Sequence, residues 1–191
     1  MTRILWLDLE TTGLDPNKDT ILEYGLLVTE GLDTEVDSLS IPVHPHGFNP
    51  FALDDVVYAM HSESGLLDAM RAEGLRPMSA VAAVGGFLDT HFDFDATDIV
   101  VGGSGIDRFD VPMLRSNSPA LAGRFHWRTL DVSGLKQVMG MAGVPIPPVE
   151  TQHRAVDDAR WAFHVAQRGA SLLGVGAHEL GLDDTPIGVS A

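Results

Sequence analysis

The chain has 191 residues and a mass of 20.5 kDa, with 45% hydrophobic and 20% charged side chains and no cysteine. Those proportions suit one globular domain whose core needs no staple, and the lack of thiols excludes a disulfide scaffold, a zinc ribbon and thiol catalysis. No apolar run approaches the ~20 residues of a membrane span. The N-terminus also lacks a charged head followed by a long apolar stretch, so a cytoplasmic protein is expected.

The net charge of −15 argues against a protein that grips long nucleic acid mainly through phosphate contacts. The charge is uneven. Residues 1–100 hold 18 acidic and four basic side chains, whereas residues 101–168 hold six acidic and eight basic ones, so the second half is the part able to face a phosphate.

In chain order, an apolar run from Thr2 ends at Asp8 and Glu10, and period-two spacing puts both carboxylates on one face of a strand. Strands at Ile21–Thr29 and Glu35–Val43 follow, completing an antiparallel meander, and His44–Asp55, with two prolines and a glycine, reads as a surface loop. Helical spacing marks Ser62–Ala72 and Ser79–His91, with Ser79 as the N-cap of the second. Ile99–Gly103 is a short buried strand, Asp107–Ser116 a helix, Arg128–Val132 an edge or parallel strand, and Ser133 caps a helix to about Ala142. A proline-rich loop spans Val144–Pro148, and His153–Gly169 is the last helix. The pattern predicts an α/β protein: a mixed five-stranded sheet with an N-terminal meander and flanking helices. A single domain over residues 1–173 is expected to carry a Gly-rich tail, 174–191.

Asp8 and Glu10 suit two oxygen ligands of a hard divalent cation, because carboxylates embedded in a buried strand are costly unless paired with metal or hydrogen bonds. Taken alone, the pair also fits two solvated acids at a strand end. His153 and Asp158 are five residues apart, so they share a face only if His153 lies in the loop before the helix. Asp157 is expected to face solvent. The stretch Gly102-Gly-Ser-Gly105 allows close backbone approach, but no Gly-Lys-Ser/Thr follows, so it is not a P-loop. Asp107 and Asp110 are both candidates beyond it, with helix capping as the ordinary role for Asp107.

In that order and at those separations, Asp8-Leu-Glu10-Thr-Thr-Gly-Leu14, Phe109-Asp110-Val-Pro-Met-Leu114 and His153-x-Ala155-x-x-Asp158 resemble the motifs of the DEDDh class of 3′-5′ exonucleases. The segments Trp6–Pro16, His61–Leu66, Phe125–Lys136 and His153–Arg160 resemble oligoribonuclease within that class. The resemblance implies a ribonuclease H-like exonuclease fold that hydrolyses short single-stranded RNA or DNA oligonucleotides from the 3′ end. It also implies two Mg²⁺ or Mn²⁺ ions on Asp8, Glu10, Asp110 and Asp158, with His153 as general base.

By the same resemblance the backbone at Thr11 and Gly13 and the side chain of Leu14 meet the terminal base and His61 lies near the scissile region; Arg128 is expected among the substrate-binding residues. A homodimer is implied as well. Leu14 also fits a turn-anchoring core residue, Trp127 and Trp161 are expected in the core, and Arg128, Arg154 and Arg160 are expected to serve one or two phosphates. The family's wedge tryptophan is here Val56, its glycine-asparagine segment is Gly102-Gly-Ser-Gly105 and its tyrosine before Leu-Asp-Val is Thr129, so lengths above two should be tolerated. Alternatives are a DNA-directed proofreading-type or general single-strand exonuclease, and, from another class, an acidic non-catalytic interaction module.

Overall fold

The first strand, β1 (Arg3–Thr11), is almost wholly buried and forms the middle of the sheet. It pairs antiparallel with β2 (Ile21–Glu30), which pairs antiparallel with β3 (Thr34–Pro42). On its other side β1 pairs parallel with β4 (Val101–Gly103), and β5 (Leu130–Asp131) continues parallel at the edge, for an order β3-β2-β1-β4-β5. The expected mixed sheet with its meander is therefore present. The computed structural model describes residues 3–146 and 153–172. The Gly-rich tail from 174, and part of the expected proline-rich loop, lie outside them.

Helices α1 (Asp55–Glu63), α2 (Leu66–Glu73), α3 (Pro77–His91), α4 (Asp110–Asn117), α5 (Pro119–Ala122), α6 (Val132–Met141) and α7 (Ala155–Leu172) surround the sheet. Alternation along β1 assigns its two faces. Leu5, Leu7 and Leu9 pack with apolar side chains of α3, α4 and α5, while Ile4 and Trp6 pack with α6 and α7. The α7 stripe of Ala159, Ala162, Phe163 and Ala166 lies on that second face, and its small side chains let the helix approach the strands closely. A third cluster joins Leu22 of β2 to Leu66, Leu67 and Met70 of α2.

Several local expectations change. The helix expected over Ser62–Ala72 is two helices, because Gly65 takes a left-handed φ of 74° that ends α1 and opens α2. Ser79 does not cap α3: Pro77 occupies its first turn and Arg76 is the cap residue, since a proline needs no amide partner there. Asp107 lies ahead of α4 and its carboxylate accepts from the Thr129 hydroxyl at 2.6 Å, so it is not that helix's cap. Ser133 lies inside α6, whose cap is Asp131: its carboxylate accepts from the Ser133 amide at 2.8 Å and from the Gly105 amide at 3.0 Å. That double acceptance ties the glycine loop after β4 to the start of α6.

Candidate active site

Asp8 and Glu10 point to the face of β1 that α7 covers, and the register explains the space they occupy. Asp8 lies opposite Gly25 of β2, and a Cβ at Gly25 would sit 2.1 Å from the carbonyl carbon of Ala155, so the first turn of α7 rests directly on the strand. One turn further along α7 is Asp158. Ligand oxygens of Asp8, Glu10 and Asp158 lie within 4.8 Å of one another, and one oxygen of Asp158 is buried without a hydrogen-bond partner. Three converging carboxylates, one with an orphaned buried oxygen, fit a hard divalent cation.

Asp110 approaches from the other side. It is buried at the start of α4, and its Oδ1 accepts from the Leu9 amide at 3.0 Å, which fastens it to β1 between the two acids of that strand. It lies close enough to Asp8 to oppose that residue's ionisation. Asp107 is exposed and bonded to Thr129, outside the cluster. Asp157, half-exposed, pairs with Arg160 at 3.0 Å.

His153 lies just before α7, exposed, with a left-handed φ of 49°. This is the placement its spacing from Asp158 requires, and it lies near enough for its charge to favour the ionised form of Asp158. His61, from α1, is fully buried. Its Nε2 lies 2.8 Å from the Thr11 carbonyl, which can only accept, so Nε2 carries the proton. Nδ1 then faces Glu10 at 3.7 Å without a hydrogen bond, and burial lowers the imidazole's pKa, which disfavours its charged form. His61 thus supports the strand end from beneath and offers no exposed surface to a substrate.

The loop after β1 is held by Asp19, whose carboxylate accepts from the Thr12 hydroxyl at 2.8 Å and the Asp15 amide at 2.9 Å. The Thr11 hydroxyl donates to the Gly13 carbonyl at 2.7 Å. Leu14 is thereby displayed with 81% of its surface exposed, which removes its reading as a core anchor. Trp127 is likewise no core residue: it is 71% exposed, and the Arg128 guanidinium stacks on its ring at 4.2 Å. Trp161 does pack against the α6–α7 cluster, as expected. Of the three arginines expected at phosphates, Arg154 is taken up by Glu23 and Arg160 by Glu35 and Asp157. Among the described residues Arg128 makes no ion pair.

The sequence reading missed Glu23. It is fully buried on β2 directly opposite Glu10, and it accepts from Arg154, the Ala155 amide and Ser40. A period-two reading of β2 would have placed this acid on the face of Gly25 and Leu27, and a charged residue on a buried strand face needs a partner.

Crowding shows in the acidities. Burial, reinforced by Asp158, Glu23 and Asp110, pushes Glu10 up to about 8, with Arg154 opposing. Asp8 is raised well above its ordinary value by burial and then by Asp110 and Asp158. Burial raises Asp110 to about 7 against the Leu9 amide, and burial raises Asp158 to about 6 against His153. Below about pH 4 folded and unfolded chains both hold these protons. Above that the unfolded chain loses them, whereas the folded chain gives them up only at about 6 for Asp158, about 7 for Asp110 and about 8 for Glu10. Stability of the metal-free protein is therefore expected to fall from pH 5 to pH 8.5, and saturating Mn²⁺ should flatten that fall. Thermal melts across that range check it; a metal-free Tm that rises with pH would contradict the crowding.

The sequence and the fold are similar to those of known proteins. Residues 5–166 match the RNase_T exonuclease family. The chain is 34% identical over 161 residues to the oligoribonuclease of Salmonella typhimurium, covering 82% of this chain and 87% of that one. It is 33% identical over 142 residues to the oligoribonuclease of Shewanella loihica, covering 72% and 75%. Among solved structures it resembles the zinc-bound E. coli exonuclease I–single-stranded DNA complex, with a TM-score of 0.70 at 13% identity over 91% of this chain. An exonuclease I from Methylocaldum szegediense matches with a TM-score of 0.66 at 15% identity over 90% of this chain. The chain spans 41% of the length of each of those two exonuclease I chains. The sheet order, the converging acids and a family match that runs from β1 into α7 agree, and the chain belongs to the RNase_T family of exonucleases.

Proposed function

We propose that this protein is a 3′-5′ exonuclease of oligoribonuclease type, releasing nucleotides from the 3′ end of short single-stranded oligonucleotides. The observation that carries the reading is the convergence of Asp8, Glu10 and Asp158 within 4.8 Å, with a buried Asp158 oxygen left unpartnered. Together with Asp110 these side chains would hold two Mg²⁺ or Mn²⁺ ions. Such ions supply Lewis acidity that lowers the pKa of an attacking water and offsets charge on phosphoryl oxygens.

The chain's own residues do the rest. An imidazole nitrogen of His153 takes the proton from the attacking water as its oxygen bonds to phosphorus, and the bond to the leaving 3′ oxygen breaks. His153 is exposed at the rim, so the proton can pass on to solvent or to the leaving oxygen. Leu14, displayed by the Asp19-braced loop, offers an apolar edge to the terminal base, and the backbone at Thr11 and Gly13 lines its approach. Of the three arginines expected at phosphates, Arg128, stacked on Trp127, is the one outside an ion pair and would meet a phosphate. A wholly non-catalytic acidic module would keep its acids solvated, whereas Glu10 and Asp110 are buried.

Short substrates follow from charge. Residues 1–100 carry 18 acids against four bases, and Arg154 and Arg160 are engaged within the fold. Affinity for long strands grows with each phosphate neutralised, and few cations remain to do so. Val56, exposed on α1, stands at the position where the resembled family has its wedge tryptophan, and that smaller side chain supports acceptance of lengths above two. A homodimer in the cytoplasm completes the proposal: Trp127, and Val138 and Met141 on α6, are exposed apolar side chains suited to a partner surface, and a chain without cysteine suits a reducing compartment.

Digestion of end-labelled RNA and DNA of two, five and twenty nucleotides with Mn²⁺ tests this. Expected is a 3′-to-5′ ladder, abolished by chelator, with kcat/KM greatest for the short RNAs; a steady rise with length, or faster cutting of duplex, would overturn the substrate assignment.

A further inference from the structure

We infer that Glu23 is a positioning residue of this site: through Arg154 it fixes the start of α7, and with it both His153 and Asp158, against the strand that carries Asp8 and Glu10. The inference rests on the functional reading above.

Glu23 works against its surroundings electrostatically. It lies directly across the strands from Glu10, and its charge opposes ionisation of Asp8, Glu10 and Asp158. Like charges opposite one another on adjacent strands are unfavourable, and a buried carboxylate is costly unless its oxygens are satisfied. What satisfies them comes from the first residue of α7, the arginine just before it, and β3. Arg154 donates from Nε to both oxygens, at 3.0 and 3.2 Å, and from Nη2 at 2.7 Å. The Ala155 amide donates at 3.0 Å, and the Ser40 hydroxyl at 2.7 Å. An amide in the first turn of a helix is one of the donors that the helix cannot satisfy internally, and the positive end of the helix favours the carboxylate there.

Arg154 links this contact to the chemistry. It is covalently joined to His153, whose backbone takes the left-handed conformation that few non-glycine residues adopt. Its carbonyl accepts from the Asp158 amide at 3.1 Å. One residue, gripped at its guanidinium by Glu23, is thus bonded both to His153 and to Asp158. The planar fork sets direction as well as distance, which a lysine could not do. Gly25, two residues along β2 on the same face, lets the helix backbone lie flat on the strand, so β2 supplies both the seat and the anchor.

The test uses Glu23→Gln, which keeps size and one acceptor, alongside Arg154→Lys, which keeps charge but loses the fork. Losing such an outer partner typically costs about 10–100-fold in metal affinity or activity. We expect Glu23→Gln to lower kcat by that factor with KM changed less than threefold, and Arg154→Lys to show a smaller loss of the same kind. In the metal-free variant, hydrogen exchange should speed up at Ala155 and in the first turn of α7 while β1 and β2 stay protected. Affinity for Mn²⁺ alone, by titration calorimetry, should fall in step with kcat. The double variant should be no worse than the more affected single one, because both act through one contact.

A kcat within twofold of the parent in a folded variant, or a loss that only follows the unfolded fraction and vanishes on cooling, would overturn the inference. Additive losses in the double variant would do the same. If Glu23→Gln does not fold, Arg154→Lys decides by the same measures. His153→Ala and Asp158→Asn run alongside: if both stay active, the site assignment fails and this inference with it, whereas if both are inactive and Glu23→Gln is not impaired, only this inference fails.

Discussion

Replacing Asp8 by asparagine is expected to lower kcat by several orders of magnitude and, in the same protein, to raise the Tm of the metal-free form at pH 8. Both effects follow from one feature. Asp8 is buried among Asp110, Asp158 and Glu10, so its charge is unfavourable without a cation and indispensable for holding one. Removing the charge relieves the folded state and empties the site, an exchange of activity for stability often met at functional clusters. Asp158→Asn should behave similarly with a smaller gain in Tm, its pKa being raised less far, to about 6. Asp110→Asn should be inactive too, whereas Asp107→Asn, changed at a carboxylate that bonds the Thr129 hydroxyl outside the cluster, should keep most of its activity. Single-turnover rates with and without chelator, beside calorimetric melts, read all four variants. Activity surviving in Asp8→Asn with excess chelator would remove the metal mechanism, and an Asp107→Asn enzyme deader than Asp110→Asn would reassign the third acid.

The second large effect is that of His153→Ala, expected to depress turnover by roughly 10²–10⁴, the usual contribution of a positioned general base. Its affinity for Mn²⁺ should change little. His153 is exposed at the mouth of the site, while the converging group consists of Asp8, Glu10 and Asp158. The lost rate should recover partly as pH rises and hydroxide replaces the missing base. A Kd for Mn²⁺ weakened as much as by Asp8→Asn would instead make the imidazole a ligand.

Much of this site is legible in the residues because it depends on local periodicity. Asp8 and Glu10 share a face of β1 by the alternation that buries Leu5, Leu7 and Leu9 on the other. His153 had to precede its helix, since five residues of regular helix would turn it away from Asp158, and the chain does place it there in a left-handed conformation. The meander and its two flanking parallel strands were likewise readable from apolar runs and turn residues. Local signals failed where two competed. Ser79, Asp107 and Ser133 are all good cap residues by type, yet Pro77 starts α3 earlier, Thr129 captures Asp107, and Asp131 reaches the amides first.

The linear sequence, then, determined which side chains are available and which of them share a strand face or a helix turn, because those relations are set by backbone geometry within a single element. Only the tertiary structure decided how the elements meet. It buried Glu23 opposite Glu10 and gave it Arg154 as partner, buried His61 against the Thr11 carbonyl, and left Leu14 and Trp127 exposed where leucine and tryptophan are usually buried. Each of these depends on contacts between residues distant in sequence, 131 positions apart for Glu23 and Arg154 and 50 for His61 and Thr11. No period within one element encodes such pairings, and the acidities of the site follow from them, since burial and neighbouring charge exist only once the chain has folded.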